Sequence, residues 1–400
     1  LIKNTLEFDP EILKRYVNFM NNPDERTAVD QFGKGDKYFG ICTMMVTMPG
    51  LPMFGHGQFE GFTEKYGMEY RKAYWDEKVD SDLLERHRFQ ISPLARKRYL
   101  FAQVDKFLLY DFTTSDKTVI EDVFAYSNQI GEEKTLVVYH NKFATAKGWI
   151  KNATPYLYKN IQNPEDRFLI YQNLENGLGL HNDSGYYTIF RDQITGLEYL
   201  RNSQVLCQYG LYLELNAYEC HVFMGFREVQ ESEGTHYGQF AAYLQGGGVA
   251  NIEEAHVEFL MQSIHEPLRE IINPGMLDWL SEHRLSTKND TRYAETLYSA
   301  LDELDEKIRL LIQEISLSTG YSSEQPELIE DIHSRVLSAL KLGVLDQKKL
   351  YRTLTDYQKV SMFLHTGSQG TSLIDGDHSV WDILLTWCVL SLLGKIADPQ

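Results

Sequence analysis

The pattern of apolar positions changes twice along the chain. Tyr16 to Met20 and Leu51 to Phe54 are short apolar runs, closed by Asn21-Asn22-Pro23-Asp24-Glu25 and by Gly55-His56-Gly57-Gln58. Short runs with such terminators predict buried strands followed by turns. Asp9-Pro10, ahead of the first run, suits an N-cap and first helical turn. Between the runs, Tyr38, Ile41, Met44 and Met45 recur at helical spacing, which predicts a helix over 37–46 ended by Met48-Pro49-Gly50. Ser92-Pro93 then predicts a long helix to about Tyr110, with Leu94, Tyr99, Phe101, Val104, Phe107 and Leu108 as its apolar set. Strand, helix, strand, helix is the alternation of parallel α/β structure, whose chemistry sits at the carboxyl ends of the strands.

The first change falls near Thr118. Val123 to Asn128 and Thr135 to Tyr139, joined across Gly131, predict a hairpin. Phe168 to Tyr171, Tyr186 to Phe190, Leu211 to Leu215 and His221 to Val229 add short strands, a spacing that suggests an antiparallel sandwich. The second change follows Gly246-Gly247-Gly248, the best linker candidate. Helices are expected from there on: 252–272, 290–317, 324–342, 346–365 and 379–396, with Leu297, Leu301, Leu304, Ile308 and Leu311 on one face of the second.

Composition narrows the function. The 400 residues carry a formal net charge of −18, so a phosphate backbone is repelled and nucleic acid is excluded as a partner, whereas a neutral polymer such as a glucan is not. The 25 Tyr and 20 Phe offer faces that stack on sugar rings, though such residues more often fill cores. Cys42, Cys207, Cys220 and Cys388 form no C-x-x-C pair, which fits reduced thiols and a cytoplasmic location. The most apolar stretch, Trp381 to Ile396, is short and contains Asp382, so it reads as a buried helix and no membrane association is expected.

Candidate chemistry lies in the two turns. A carboxylate at the end of a buried parallel strand is costly without a task or a partner. Asp24 fits one that steadies positive charge or binds sugar hydroxyls; a plain turn and helix cap is the competing reading. His56, Gln58 and Glu60 carry groups that hydrogen-bond hydroxyls, and the glycines beside them permit close approach. No Gly-Lys-Ser/Thr follows, so this is not a phosphate loop. Taken singly, each of these residues also fits a structural role.

Together the segments resemble the α-amylase family of glycoside hydrolases. That family's strand-seven motif reads Phe-x-x-Asn-His-Asp, and Phe19, Asn22 and Asp24 match it, with Pro23 in the histidine position. Its strand-eight stretch, Pro-Gly-x-Pro followed by a glycine- and glutamate-containing end, is matched by Pro49, Gly50 and Pro52, with Gly57-Gln58-Phe59-Glu60-Gly61 one residue looser than usual. Tyr66 to Arg71 looks like a branch-specific insertion.

The resemblance covers about residues 1–230 and implies an α/β, β and α multidomain chain. The last two β/α units of a (β/α)8 barrel occupy 1–117, an antiparallel β-sandwich 118–235 and an added helical module 236–400. Family members are retaining enzymes acting on α-glucosidic bonds, with an Asp nucleophile and a Glu acid/base about 5–5.5 Å apart on strands four and five. Both lie upstream of Leu1 in that plan. Only the third, stabilising aspartate has a counterpart here, Asp24, beside Asn22, His56, Gln58 and Glu60 as substrate-binding candidates. Pro23 cannot make the hydrogen bond of the histidine it replaces. The implied partners are an α-glucan or oligosaccharide and the missing amino-terminal barrel strands of the same polypeptide. The helical module is a candidate for homo-oligomer contacts. The family's calcium ligands lie mostly upstream, so no cofactor or metal is expected in this segment. The alternative is a glucan-binding or assembly protein that kept the scaffold and lost the chemistry.

Other candidates are weaker. His140 and His221 suit the sheet, His181-Asn182-Asp183 suits a turn, and Trp149 with Tyr156 and Tyr158 forms a candidate sugar-stacking platform. No Ser-His-Asp order and no zinc spacing is readable.

Overall fold

The structure, a computed structural model, describes residues 1–400 except 66, 68, 70, 160–165, 233, 283–290, 320–325, 341–377 and 398–400. It divides into two compact units, Leu1–His256 and Val257–Gln400.

In the first unit the two predicted apolar runs are strands. β1 (Val17–Phe19) and β2 (Leu51–Met53) pair in parallel, Val17 opposite Leu51 and Phe19 opposite Met53. The Asp36–Thr47 helix crosses between them, as its spacing predicts. Asp9 caps a short 3-10 helix, Pro10–Arg15, through the Glu11 amide.

The helix expected from Ser92 to Tyr110 is displaced. Helical structure begins at Ser81, capped by the Asp80 carboxylate on the Leu83 amide, and ends at Phe101. A widened π turn over His87–Ile91 lies just before Pro93, whose missing amide hydrogen breaks the regular ladder. Leu108, assigned to the helix by its apolar neighbours, instead opens β3 (Leu108–Thr113). A continuous apolar run fits a twice-buried strand as well as a helix.

β3 belongs to an eight-stranded antiparallel sheet with β4 (Val123–Ile130), β5 (Glu133–His140), β6 (Ala146–Ala153), β9 (Tyr186–Asp192), β10 (Glu198–Asn202), β11 (Leu211–Leu215) and β12 (Cys220–Gln230). The order is β10-β9-β12-β5-β4-β3-β6-β11. β7 (Tyr156–Lys159) and β8 (Arg167–Ile170) form a separate hairpin. Hydrogen bonding is thus continuous where two facing sheets were expected. The two ends of the ladder nevertheless share a core: Phe190 and Phe223 from one end meet Ile150, Leu211 and Leu215 from the other. The β4–β5 hairpin turns at Gly131 as predicted.

The sheet's other face supplies Leu109, Tyr126, Val137 and Val222 to a core shared with Tyr38, Phe39, Cys42 and Val46 of the Asp36–Thr47 helix. Burial on both faces explains why β5 reads as an unbroken apolar run and does not alternate. Tyr139 packs directly over Gly40, where any Cβ would overlap its ring, and its hydroxyl donates to the Lys37 carbonyl at 3.3 Å. Thr47 and Tyr126 hydroxyls meet at 2.5 Å. Arg98 donates to the Val46 carbonyl at 2.8 Å and to that of Gly50, fixing the end of the helix and the approach to β2.

The Gly246–Gly248 run, expected as a linker, is tied to the sheet edge. Val249 bridges Glu198 of β10, and Arg201 donates to the Gly246 carbonyl at 2.7 Å. The second unit is helical over its described residues. The Ile252–Ile271 helix, which crosses the boundary at His256, is followed by a helix the sequence reading omitted, Pro274–Glu282. Pro274 opens this helix and Asn273 caps it through the Met276 amide. Thr291–Thr319, Pro326–Leu340 and His378–Ala397 follow. Leu301, Leu304, Ile308 and Leu311 line its core as predicted; the Leu297 side chain and the 346–365 helix lie outside the described residues. No described helix is long and apolar enough to cross a membrane.

Placing a methyl group at Gly40 forces the Tyr139 ring out of the shared core, and overpacking of this kind costs about 1–3 kcal/mol. Gly40→Ala is therefore expected to lower the urea midpoint of the first unit's transition. An unchanged midpoint would show that the helix and sheet are not packed through this contact.

Candidate functional site

The carboxyl ends of β1 and β2 carry the predicted site. Asn18 of β1 donates to the Pro49 carbonyl at 2.8 Å, which holds the two strands level. Beyond β1 the chain turns sharply, and the turn is built by Asn22. Its Oδ1 accepts from the amides of Asp24 at 2.9 Å and Glu25 at 3.0 Å. Proline at 23 suits this turn because its φ is already fixed. The Asp24 carboxylate is exposed at the outside of the turn.

The turn after β2 is built by Gln58. This side chain is buried. Its Oε1 accepts from the Gly55 amide at 2.9 Å and its Nε2 lies 3.3 Å from the Met20 sulfur. The two turns touch, since a Cβ at Gly55 would overlap the Asn21 carboxamide. His56 is exposed and Glu60 partly so. The structure thus brings all five predicted residues to one end of the strand pair. It turns Asn22 and Gln58 toward the backbone and leaves Asp24 and His56 facing outward.

The residues from Glu60 to Asp80 form a loop whose ends meet through an Asp80 amide to Glu60 carbonyl bond of 2.9 Å. Two carboxylates hold it from within. Glu77 accepts from the Thr63 amide and hydroxyl and from the Glu64 amide, at 2.6–2.8 Å. Glu64 in turn accepts from the amides of Tyr74 and Trp75. Burial opposes charge on Glu77, but the hydrogen bonds outweigh it and hold its carboxyl below the usual range. Lys65 donates to the Asp24 carbonyl at 2.9 Å, stitching the loop to the β1 turn. Trp75 stands 60% exposed on this loop, an aromatic face near the strand ends that the sequence reading did not single out. Residues 66, 68 and 70 of the proposed insertion lie outside the described residues.

Beneath the turns lies His87, also missed. It is buried against Tyr38, Phe39 and Phe59, and its Nε2 meets the Tyr38 hydroxyl at 2.8 Å. Tyr38 also reaches the Gln58 carbonyl at 2.9 Å. Burial pushes the imidazole down to about 4, so it is neutral at pH 7. The available signal was its place in Leu83, His87, Ile91, Leu94, a helical core face with one polar member.

A second polar cluster lies in the sheet. His221 is 3.0 Å from the buried Asp192 and 3.4 Å from Glu219. Burial lowers its pKa, but the hydrogen bonds to both carboxylates overcome this and carry it up to about 9. The hydrogen bond to His221 takes Glu219 down to about 2. The cluster borders a cleft of about 270 Å³ whose other wall carries the Asp36–Arg86 ion pair. His140 binds the Asn216 carbonyl, and His181 pairs with Glu228 at 2.7 Å. Among the described residues, no group of three or more His, Cys, Asp and Glu is placed to hold a metal ion. The four cysteines are unpaired.

No family profile matches the sequence, and no curated protein matches it. Solved structures match over part of the chain. An α-amylase from Geobacillus thermoleovorans complexed with acarbose is 15% identical over 54% of this chain and 39% of that one, with a TM-score of 0.32. Acarbose-soaked debranching enzyme from Nostoc punctiforme is 12% identical over 54% and 35%, with a TM-score of 0.31. CldA, a cyclomaltodextrin glucanotransferase with a three-domain ABC distribution, is 16% identical over 54% and 38%, also at 0.31. The chain spans under two fifths of each of these proteins.

The His221 cluster makes stability depend on pH. An imidazole raised from 6.5 to about 9 on folding stabilises fully below pH 6.5, and that contribution fades as pH rises toward 9. Stability is expected to fall across this window by up to about 3 kcal/mol, and His221→Gln to flatten the slope there. Urea midpoints at pH 6, 7.5 and 9 measure both; equal slopes in the two proteins would discount the cluster.

Proposed function

We propose that β1 and β2 are the last two strands of a (β/α)8 barrel in a retaining, α-glucan-active glycoside hydrolase or transglycosylase. In this reading Asp24 is the one reacting-centre carboxylate supplied by this chain, with His56 and Glu60 lining the sugar site and Asn22 and Gln58 shaping the turns. The observation that carries it is the state of the strand pair. A parallel pair is ordinarily buried on both faces and flanked by further strands. Here each strand has one strand neighbour among the described residues, while Val17, Phe19 and Leu51 on one face are 46%, 45% and 63% exposed. Such a surface fits further β/α units of the same polypeptide, and the polar ends converge on the side where a barrel holds its chemistry.

Glycosidic cleavage needs a proton donor and a nucleophile across the scissile bond, with the sugar's developing positive charge stabilised beside them. The resemblance of Phe19, Asn22 and Asp24 to the family's strand-seven motif assigns the last of these tasks to Asp24, whose carboxylate faces outward from its turn. Proline at 23 favours a second reading, a glucan-binding or assembly protein on the same scaffold, because it removes one sugar contact.

Three measurements bear on this. The 400-residue chain is expected to release no reducing sugar from soluble starch or maltoheptaose, and clear turnover would overturn the assignment of roles. The polypeptide in its native source is expected to have an intact mass well above 46.4 kDa; a native species of that mass would remove the barrel reading. In the longer polypeptide, Asp24→Asn is expected to lower kcat by about 10²-fold or more with KM little changed. An unchanged kcat would favour the binding scaffold.

A further inference from the structure

The outward face of the last two strands of the ladder, β6 and β11, bears an aromatic pair that the sheet itself does not cover. Trp149 and Tyr212 are directly opposite across the strands, with ring centroids 4.8 Å apart and planes at 50°. Tyr212 is 41% exposed and Trp149 is half-buried. The two rings lie tilted against each other, and the Tyr212 ring is held in place. Its hydroxyl donates to Glu214 at 2.8 Å, and the same carboxylate takes Lys147 at 2.7 Å. Lys147 and Lys151 flank Trp149 at two-residue steps, about 7 Å to each side. Lys151 also donates to the Gln208 carbonyl at 2.5 Å. Tyr158, expected beside Trp149, instead packs on Phe168 in the β7–β8 hairpin.

We propose that this face binds one pyranose ring of a neutral glucan, as a contact separate from the strand ends. The identity of the polymer as an α-glucan rests on the functional reading above. A pyranose has an apolar C–H face and a rim of hydroxyls. The tilted ring pair offers an aromatic surface to the first, and Lys147, Lys151 and Glu214 offer a donor and acceptor rim to the second. A net charge of −18 disfavours an anionic ring such as a nucleotide. A protein partner fits less well, since a stable interface covers about 800 Å² per side around an apolar centre, whereas two rings here are bordered by charges.

Native electrophoresis of the full chain through gels containing soluble starch, with dextran gels as control, tests the proposal. Retardation by starch is expected, weakened at least about fivefold by Trp149→Ala and by Tyr212→Ala. Trp149→Tyr, which keeps an aromatic face, is expected to retain most of it and guards against loss of fold. Near-UV circular dichroism and the thermal midpoint check each variant. Absence of retardation, or retardation unchanged in both alanine variants, overturns the surface site. Retardation that is lost in Asp24→Asn and kept in Trp149→Ala overturns it too, while leaving the strand-end reading standing. Concentration-dependent dimerisation abolished by Trp149→Ala, without starch binding, would assign the face to self-association instead.

Discussion

The first unit depends on the packing of one helix between two sheets of different kinds. Asp36–Thr47 lies over the parallel β1–β2 pair on one side and against β4, β5 and β12 on the other, and its buried residues belong to one core with Leu109, Tyr126, Val137 and Val222. A two-stranded parallel sheet is not stable alone, so the antiparallel sheet supplies the burial that keeps it formed. The absence of a side chain at Gly40 lets the Tyr139 ring reach the helix backbone, which sets how closely the layers approach. Arg98 then ties the end of that helix to the residues leading into β2, so the position of the strand-end turns follows from the same contact.

The turns are built in a related way. Four polar side chains are engaged with the backbone: Asn22 and Gln58 in the turns, Glu64 and Glu77 in the following loop. Charge-assisted bonds from carboxylate to amide tie the two arms of this loop together. Asp24, His56 and the Trp75 ring are exposed beside these turns.

Much of this was legible in the chain. The short strands announced themselves because their terminators are unlike their interiors, and the β4–β5 hairpin because Gly131 separates two β-branched and aromatic runs. The helical face of Leu301, Leu304, Ile308 and Leu311 needed only periodicity. The segment from Ser92 to Tyr110 reads as one helix because Leu94, Phe101, Val104, Phe107 and Leu108 keep helical spacing across the turn at Asp105 and Lys106. Nothing local distinguishes the last turn of a buried helix from the first residues of a strand buried on both faces. β6 and β10 went unrecognised since each mixes lysine, arginine, asparagine or glycine with its apolar positions, and both lie toward the outside of the ladder.

The sequence by itself determined which residue types stand at the strand ends, the number of residues between them and the sign of the surface charge, because these are properties of local order. Only the tertiary structure decided which side chains are spent on holding the fold. That Gln58 and Asn22 turn onto the backbone while Asp24 and His56 face outward depends on which way the chain turns beneath them, and the contacts of Met20, Asn21 and Tyr38 help to fix that turn. Trp149 finds Tyr212, 63 residues later, because two strands share a register that no local pattern encodes. Side-chain partners across a sheet or a core follow from pairing over long separations, and this pairing is settled by the burial of the whole unit rather than by any one segment.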